Sequence, residues 1–359
     1  MKVVLIGVGQ AGGKIAQALA EFDYDRGFEA VQGAFAVNTA RADLQNIDID
    51  TMLIGQDRVK GHGVGGDNEL GAEIMQAEAT EVMDELDGRV TSQADAVIVV
   101  AGLGGGTGSG GAPMLTRELK RVYTMPVYGL AVLPGRDEGA IYQANAGRSL
   151  KTFTREADSV LVIDNDAWKT SNESIEEGFA AINDRIAERI GLLLAAGEIV
   201  EGVGESVVDS SEIINTLKNG GIASLGYASA VADEDAGENI NAITSTARKA
   251  LLTGTSLPQA VRADKALLVI AGHPDRIARK GVERARKWLE EETGSLEVRG
   301  GDFPLSSDRV AALVLLGGVE RSQRVQDFLD RAREASQQQE ESTESAEEAF
   351  QNDELDDLM

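Results

Sequence analysis

The chain has 359 residues, no cysteine and two histidines, and its 60 acidic residues against 34 basic ones give a net charge of −26. The absence of cysteine excludes disulfides and thiolate metal sites, and the negative charge disfavours nucleic acid and anionic membrane surfaces as partners. Acid excess with only 11 lysines indicates adaptation to a salt-rich cytoplasm, where a short Debye length screens surface charge. We expect a cytoplasmic protein without membrane insertion, since the longest apolar run, at 310–319, is too short to cross a bilayer.

The length predicts two domains, and the first, residues 1–173, alternates apolar runs with helical stretches. Its apolar runs are KVVLIGV, AFAVN, TMLIG, AVIVVAGL, PVYGLAVL and SVLVID. Continuous runs rich in β-branched residues are typical of parallel strands that are buried on both faces, with crossover helices between them. The pattern therefore predicts an α/β domain built on a doubly wound parallel sheet.

A long central helix is predicted next, over residues 174–199. Ser174 and Glu177 have the spacing of a capping box, and apolar residues then recur at helical intervals. A helix of this length is long enough to join two domains.

A smaller α+β domain is predicted over residues 200–320, with KALLVIAG, SLEVRGG and RVAALVLLGG as strands and PDRIARKGVERARKWLEEE as a helix. Residues 321–359 are predicted to form a polar helix followed by a disordered acidic tail. From Gln337 onward the chain holds nine acids and no base, a composition that cannot bury a core.

A glycine-rich loop, GVGQAGG, follows the first predicted strand and fits the pattern G-x-G-x-x-G with Gly7, Gly9 and Gly12. By itself this pattern predicts a dinucleotide site and hence an NAD-dependent oxidoreductase. The second predicted strand, however, ends in Asn38 instead of the acid that binds a ribose hydroxyl in that fold. The dehydrogenase is therefore kept as an alternative.

A second glycine-rich loop, AGLGGGTGSGGAPML at 101–115, has seven glycines in its first twelve residues. It lies between a predicted strand and a helix expected to start near Pro113, so its N–H groups are placed to bind an anion at a helix N-terminus. The lysine of a phosphate-binding P-loop is absent. Charge neutralisation is therefore expected from backbone amides and a bound Mg²⁺. Glycines that serve only tight packing are the alternative.

Two carboxylates, Asp209 and Glu212, stand in VVDSSEI just before an apolar helical run. Their spacing is that of a capping box with Asp209 at the N-cap. The glycine loops contain no acid–base pair, so the two acids are also candidates for orienting or deprotonating a water molecule. Neither His62 nor His273 has a catalytic setting, and His62 is expected to be exposed on a loop.

The stretch GGGTGSG resembles the signature of the tubulin/FtsZ superfamily, and the resemblance extends over nearly the whole folded chain. GQAGGK resembles tubulin's first nucleotide loop, VNTARADL resembles the next loop, and GHGVGGDNELG resembles the FtsZ loop that senses the terminal phosphate. VVDSSEI resembles the loop that contacts the nucleotide of the neighbouring subunit. With the acidic composition, this mixture is most similar to the archaeal CetZ branch.

The resemblance implies GTP or GDP as ligand, together with Mg²⁺. It implies a GTP-binding domain at 1–173, an activation domain at 200–320, and catalytic acids Asp209 and Glu212. No metal ligand among the protein side chains is implied. The residues implied to contact phosphate and ribose are Gly9, Gln10, Ala11, Gly12, Gly13, Lys14, Asn38, Gly65, Gly66, Gly104, Gly105, Gly106, Thr107, Gly108 and Glu138, and those implied to contact guanine are Asn165, Phe179, Asn183 and Asp184.

The resemblance further implies a self-assembling cytoskeletal GTPase whose head-to-tail protofilaments complete the hydrolytic site and control cell shape. A non-hydrolysing structural filament protein is a second alternative. The acidic tail is expected to be able to dock an unknown protein. Two positions depart from the FtsZ pattern, since Tyr142 replaces an arginine and Val207 replaces an asparagine of the catalytic loop.

Overall fold

The computed structural model describes residues 1–168, 175–198, 208–320 and 323–350. Its strands are β1 (Val3–Val8), β2 (Val31–Asn38), β3 (Asp50–Leu53), β4 (Ala96–Gly102), β5 (Val127–Leu133), β6 (Ser159–Asp164), β7 (Ile222–Val231), β8 (Ala263–Gly272), β9 (Glu297–Pro304) and β10 (Arg309–Val319). They form one sheet with the order β3-β2-β1-β4-β5-β6-β7-β10-β8-β9.

Helices connect the strands and cover the sheet. They are α1 (Gly9–Arg26), α2 (Arg41–Leu44), α3 (Gln56–Val59), α4 (Asn68–Ala77), α5 (Ala79–Leu86), α6 (Gly106–Val122), α7 (Ala140–Glu156), α8 (Asn165–Trp168), α9 (Ile175–Ala196), α10 (Ser210–Leu217), α11 (Asn239–Leu252), α12 (Arg279–Thr293) and α13 (Gln323–Phe350). Short 3₁₀ helices precede α11 and α12.

The first six strands are parallel, and their order, 3-2-1-4-5-6, is that of a doubly wound α/β sheet. All six predicted strands of this domain are present, and the predicted fold class is confirmed. Every residue of β1 and of β5 is buried, as expected for strands covered on both faces.

Side chains of β1 alternate between the two layers of the core. Val3 and Leu5 join a hydrophobic cluster with α1, α9 and α10, whereas Val4 and Ile6 join a second cluster with α4 to α7 and α13. A third cluster joins α11 and α12 to the strands of the second domain. The parallel sheet is therefore sandwiched between two helical layers, and its loops emerge at the strand ends.

The two parts of the sheet meet where β6 pairs with β7 over two residues, Val160 with Ile222 and Leu161 with Ala223. Beyond that point Ser256 bridges the strands, donating its hydroxyl to the carbonyl oxygen of Val162 at 2.8 Å. In the second part β10 is antiparallel to β7 and β8, and β8 is parallel to β9. The sheet is therefore continuous but changes from parallel to mixed at this junction.

Two elements of the second domain, β7 and α11, were not predicted. The sequence of β7, IASLGYASAV, is rich in small residues and lacks a continuous apolar run. Its strand conformation depends on pairing with β10, which the local pattern does not encode.

The two helices predicted at 174–199 and after residue 320 are present, but their bounds differ from the predicted ones. The central helix is confirmed as α9, while Ser174, and with it the proposed capping box, lies outside the described residues. The helix α13 continues to Phe350 instead of ending near Gln337, because its Glu, Ala, Gln and Ser residues carry adequate helix propensity. Among the described helices, none is both long enough and apolar enough to span a bilayer.

Candidate functional site

A cavity of about 630 Å³ opens at the carboxyl ends of the parallel strands. It lies between the loops that follow β1, β2, β4 and β5 and the start of α9, which is where ligands bind in doubly wound sheets. Fifteen of the predicted contact residues line it: Gly9, Gln10, Ala11, Lys14, Asn38, Gly65, Gly66, Gly104, Gly105, Thr107, Gly108, Glu138, Asn165, Phe179 and Asn183.

Four predicted contact residues do not line the cavity. Gly12 lies against the backbone of β4, because a Cβ there would collide with the carbonyl oxygen of Val100. Gly13 is buried against β2, Gly106 is packed behind the loop, and Asp184 is exposed on α9 outside the cavity lining. Glycine spacing alone does not distinguish a residue that faces a ligand from one that faces a neighbouring strand.

The second glycine loop enters its helix earlier than predicted. The helix α6 begins at Gly106, so the prediction of a start near Pro113 is wrong, and Pro113 lies inside the helix. A helical start at residue 106 points the first free N–H groups at the cavity wall formed by Gly105 and Thr107. The anion-binding end of the helix is therefore the GGGTG segment itself.

Close packing accounts for several glycines of α6. A Cβ on Gly108 would lie 2.8 Å from the carbonyl oxygen of Gly102 and 2.9 Å from that of Val8. A Cβ on Gly106 or Gly110 would collide with the backbone of 67–68. Gly105, in contrast, has open space at its Cβ position. Some glycines of the motif are thus required by close packing, and others leave room for a ligand. The expectation that the glycines mainly serve a ligand is only partly correct.

Hydrogen bonds tie the loops of the cavity to one another. The hydroxyls of Thr39 and Thr107 are 2.7 Å apart and buried, which joins the loop after β2 to the start of α6. The amide of Asn145 donates to the carbonyl oxygens of Gly66 at 2.7 Å and Gly104 at 3.0 Å. Side chains of the protein itself therefore fix the positions of these loops relative to one another.

Asp43 connects the two remaining loops. Its carboxylate accepts from Gln10 Nε2 at 3.1 Å and from Asn38 Nδ2 at 3.0 Å, and it also lines the cavity. Sequence reasoning missed Asp43 and Asn145. The only signals in the sequence were that Asp43 lies inside VNTARADL, which resembles a nucleotide loop, and that Asn145 follows Glu138, the acid implied to contact the ribose, by seven residues.

The far end of the cavity offers an acceptor without a partner. Asn165 is 7% exposed, and its Oδ1 has no hydrogen-bond partner among the described residues. Phe179 is 43% exposed and lines the same cavity, as does Asn183. A flat ring can stack on Phe179, and the N–H groups of a base can pair with the Asn165 oxygen.

The charge of the cavity is mixed. Lys14 is the one lysine or arginine among the described lining residues, which also include the carboxylates of Asp43 and Glu138. Glu138 Oε1 accepts from the N–H of Gly135 at 2.6 Å. No three acidic or histidine side chains within the described ranges converge to hold a metal ion. A Mg²⁺ here would therefore need oxygens from its ligand, which is how this ion commonly binds with nucleotides.

His62 and Tyr142 also line the cavity. His62 is exposed, as expected. The side chain of Tyr142 covers Gly104, since a Cβ on that glycine would lie 3.2 Å from Tyr142 Cβ. The second departure, Val207, lies outside the described residues.

The two predicted catalytic acids lie away from this cavity, at the start of α10. Asp209 is the N-cap and accepts from the Glu212 N–H at 3.2 Å, so the capping role is present. The Ser211 hydroxyl donates to Asp209 at 2.5 Å and holds the pKa of Asp209 below its usual value. Burial, with the nearby charge of Asp209, raises the pKa of Glu212, whose Oε2 has no partner in the described structure.

The position of α10 separates the acids from the cavity. Ile213, one turn after Asp209, packs beside Gly197 and Met1 at the start of β1, whereas Val8 at the end of β1 lines the cavity. A strand of six residues is about 20 Å long. The acids therefore lie at the opposite end of the sheet from the cavity of their own chain.

The chain matches the Tubulin/FtsZ family GTPase domain over residues 2–173 and the C-terminal domain of tubulin-like CetZ over residues 172–334. It is 66% identical to the tubulin-like protein CetZ2 of Haloferax volcanii over 360 residues, covering 100% of both chains. The chain belongs to the tubulin-like CetZ family. The resemblance suggested by the sequence motifs is confirmed.

Solved structures of CetZ relatives share the whole fold. The GTPγS-bound protofilament of CetZ2 from H. volcanii has a TM-score of 0.91 and 66% identity, covering 95% of this chain and 100% of that one. The GDP-bound monomer of CetZ1 from the same organism has a TM-score of 0.86 and 50% identity, covering 94% and 100%. As a CetZ family member the chain is a GTPase of the tubulin/FtsZ type, and the dehydrogenase alternative is set aside.

Proposed function

We propose that this protein binds GTP in the cavity and hydrolyses it only in a head-to-tail filament, where Asp209 and Glu212 of the next subunit meet the terminal phosphate. The separation of the acids from their own cavity supports this proposal most directly. A strand's length divides the two, so one chain cannot bring them together. Stacking of identical chains, top to bottom, places both groups at one junction and yields an open filament.

The contacts of Asp209 and Glu212 suggest separate roles for the two acids. Asp209 is held by Ser211 and by the backbone of α10, so it is suited to positioning. Glu212 has an oxygen without a partner in the described structure and a raised pKa, which makes it the better base for a water molecule. Phosphoryl-transfer enzymes act chiefly by such positioning and by charge stabilisation.

The ligand is proposed to lie with its phosphates at Gly105 and Thr107, its ribose near Glu138, and its guanine between Phe179 and Asn165. The oxygens of Thr107 and Asp43 fit the preference of Mg²⁺ for hard donors, and the ion would supply positive charge to the phosphates when bound. Lys14 adds the remaining positive charge. These contacts bind and orient the nucleotide, while the amides at the start of α6 stabilise negative charge.

The biological role we propose is cytoskeletal, in control of cell shape in the cytoplasm of a salt-rich cell. The CetZ2 relative has been solved as a protofilament, which supports self-assembly of this chain. Residues 338–359, rich in acid, are proposed to dock a protein partner. Their deletion should leave GTP binding and polymerisation intact.

Two complementary variants test the shared site. Gly105→Asp places a carboxylate beside the proposed phosphate site, and charge repulsion should abolish GTP binding. The substitution should not strain the fold, because the Cβ position has open space and the backbone is extended. Gly105→Asn, of the same shape without the charge, is the matched control and should still bind. Glu212→Ala should bind GTP normally but release little phosphate.

The decisive measurement is phosphate release from a mixture of Gly105→Asp and Glu212→Ala chains. A Glu212→Ala subunit holding GTP can meet the intact acids of a Gly105→Asp subunit, so the mixture should be active although each variant alone is not. Wild-type hydrolysis by Glu212→Ala alone, at every protein concentration, would refute the proposed role of Glu212. No recovery in mixed filaments seen by electron microscopy would refute the shared site.

A further inference from the structure

Positive charge is scarce in the cavity that is proposed to hold GTP. Among the described residues that line it, Lys14 alone is a lysine or arginine, and Asp43 and Glu138 add negative charge. Enzymes that transfer phosphoryl groups often stabilise the charge of the transition state with an arginine, which can come from a second protein chain. In this protein the two proposed catalytic acids come from the neighbouring subunit. A base beside those acids would therefore reach the terminal phosphate together with them.

Arg299 of β9 lies on the face of the sheet that packs against α10. Side chains of a strand alternate between the two faces. Val298 packs with the cluster of α11 and α12, whereas Phe303 belongs to the cluster that contains Ile213 of α10. Arg299 stands an even number of residues before Phe303 and pairs in register with Leu267 of β8, another member of that cluster. Its side chain is therefore on the same side of the sheet as the two acids.

A chain of ion pairs orients the guanidinium of Arg299 and leaves its outer nitrogens free. Arg299 Nε donates to Glu297 Oε1 at 2.5 Å, and Glu297 Oε2 lies 3.2 Å from Lys265 Nζ. Lys265 also donates to the carbonyl oxygen of Asn215 in α10 at 3.0 Å. The Nη1 and Nη2 groups of Arg299 donate to no acceptor within the described ranges. The guanidinium is thus held through one nitrogen, and its two terminal nitrogens can bind an oxyanion as a fork.

The charge of Arg299 acts on both acids, although it pairs with neither. The Ser211 hydroxyl is the main cause of the lowered pKa of Asp209, and the positive charge of Arg299 lowers that pKa further. At Glu212, burial and the charge of Asp209 raise the pKa, and the charge of Arg299 opposes the rise. In the part of the chain that the structure describes, neither acid forms an ion pair with the guanidinium. Arg299 therefore lies near both acids, and its side chain is still 37% exposed.

We propose that Arg299 is a third catalytic residue of the shared site: it enters the junction with Asp209 and Glu212, and its guanidinium binds the terminal phosphate of the neighbouring subunit's GTP. The proposal rests on the shared hydrolytic site proposed above and adds its positive charge. In the reaction a water oxygen bonds to the terminal phosphorus. The bond from that phosphorus to the bridging oxygen breaks, and its electron pair stays on GDP. The proton of the water passes to Glu212, while Arg299 keeps its protons and stabilises the charge on the phosphate oxygens.

Two substitutions test the charge and the fork of Arg299. Arg299→Gln removes the charge and should lower phosphate release per filament subunit at least about a hundredfold. Arg299→Lys keeps the charge without the fork and should lower it at least about tenfold. Both variants should bind GTP normally and form filaments with GTPγS, because their own cavity is unchanged. Arg286→Gln is the matched control and should hydrolyse GTP as the wild type does, since Arg286 Cδ lies 3.6 Å from the Cβ position of Gly300, on the opposite face of β9.

The pH dependence of hydrolysis distinguishes direct contact with the phosphate from an effect through Glu212. Loss of the positive charge of Arg299 raises the pKa of Glu212, so an indirect effect would disappear at a pH that ionises this acid fully. Direct contact predicts that the loss in Arg299→Gln persists up to about pH 9. Recovery of wild-type release at high pH would overturn the proposal. Filaments of Arg299→Gln should also fail to bind GDP with aluminium fluoride, a mimic of the transition state.

Mixtures of variants test which end of the subunit supplies the charge. Arg299→Gln mixed with Gly105→Asp should regain phosphate release, because an intact cavity then meets an intact acid end. Arg299→Gln mixed with Glu212→Ala should not, because both chains lack a group of that end. No recovery in the first mixture, recovery in the second, or wild-type release by Arg299→Gln alone would overturn the role of Arg299.

The outcomes separate this proposal from the preceding one. Failure of the mixture of Gly105→Asp and Glu212→Ala would overturn the shared site itself. Recovery in that mixture, together with wild-type release by Arg299→Gln, would overturn only the role of Arg299. If Arg299→Gln forms no filaments with GTPγS, Arg299→Lys takes its place in every comparison, and wild-type release by that variant would overturn the proposal.

Discussion

The hydroxyl of Ser149 replaces a backbone donor that Pro113 cannot supply. Pro113 lies inside α6, and because it has no N–H the carbonyl oxygen of Ser109 loses its normal helical partner. Ser149, from α7, donates to that oxygen at 2.6 Å in a buried position. The hydrogen bond joins α7 to the helix whose first turn forms the wall of the cavity.

Removal of this hydroxyl should therefore destabilise the protein in a way that depends on Pro113. Ser149→Ala leaves a buried carbonyl oxygen unpaired and should lower the free energy of unfolding by about 1–2 kcal/mol. In a Pro113→Ala background the restored N–H can pair with Ser109, so the same change should have a smaller effect. Denaturant unfolding of the four chains measures the difference, and an equal loss in both backgrounds would contradict the assignment.

Asn145 should control nucleotide affinity although it does not line the cavity. Asn145→Asp keeps the shape but places a carboxylate against the carbonyl oxygens of Gly66 and Gly104, which should separate the two loops. We expect the dissociation constant for GTP to rise at least about tenfold, equivalent to about 1.4 kcal/mol. Asn241→Asp, the same change at an exposed site on α11, is the control and should leave binding unchanged.

Asp164 should make stability fall as the pH rises. Burial raises its pKa to about 6 from a normal value of 3.8, so the folded protein holds this proton more tightly than the unfolded chain does. The tighter binding of this proton contributes about 2–3 kcal/mol to the free energy of unfolding below about pH 4. That contribution is lost as the pH rises from about 4 to about 6. The stability of Asp164→Asn relative to wild type should therefore increase from pH 4 to pH 7. A constant difference across that range would show that the buried carboxyl does not titrate as described.

Leu296 should anchor the head-to-tail contact. It is 98% exposed and precedes β9 at the end of the molecule where Lys265 of β8 bonds to the carbonyl oxygen of Asn215 in α10. Leu296→Asp should reduce filament formation and phosphate release severalfold while GTP binding remains normal. Leu252→Asp, at another exposed leucine, is the control. Wild-type assembly by Leu296→Asp would exclude the residue from the contact.

Salt should favour assembly. Subunits of net charge −26 repel one another end to end, and screening shortens the range of that repulsion to roughly 3 Å at 1 M salt. We expect filaments at about 2 M KCl and their dispersal near 0.05 M. Light scattering with GTP across this range measures the effect. Strong assembly at the low concentration with none at the high one would reverse the interpretation of the acidic surface.

The sequence by itself determined the parallel sheet, the central helix and about half of the cavity lining, fifteen of its 29 residues. These features depend on local patterns: continuous buried strands, an apolar helical stripe, and glycine loops directly after strands. Gly105 was found in this way, because the loops of one sheet edge converge whatever the details of packing. Phe179, on α9, was named only because of the resemblance to the family.

Only the tertiary structure decided which glycines face the cavity and which face another backbone, since Gly105 and Gly106 are neighbours with opposite surroundings. It also revealed the bridges made by Asn145 and Asp43, and the strand β7, whose pairing is remote in sequence. Contacts between distant segments leave little trace in a local pattern. The opposed positions of Glu212 and the cavity likewise follow from strand direction and length, which act only once the sheet is assembled.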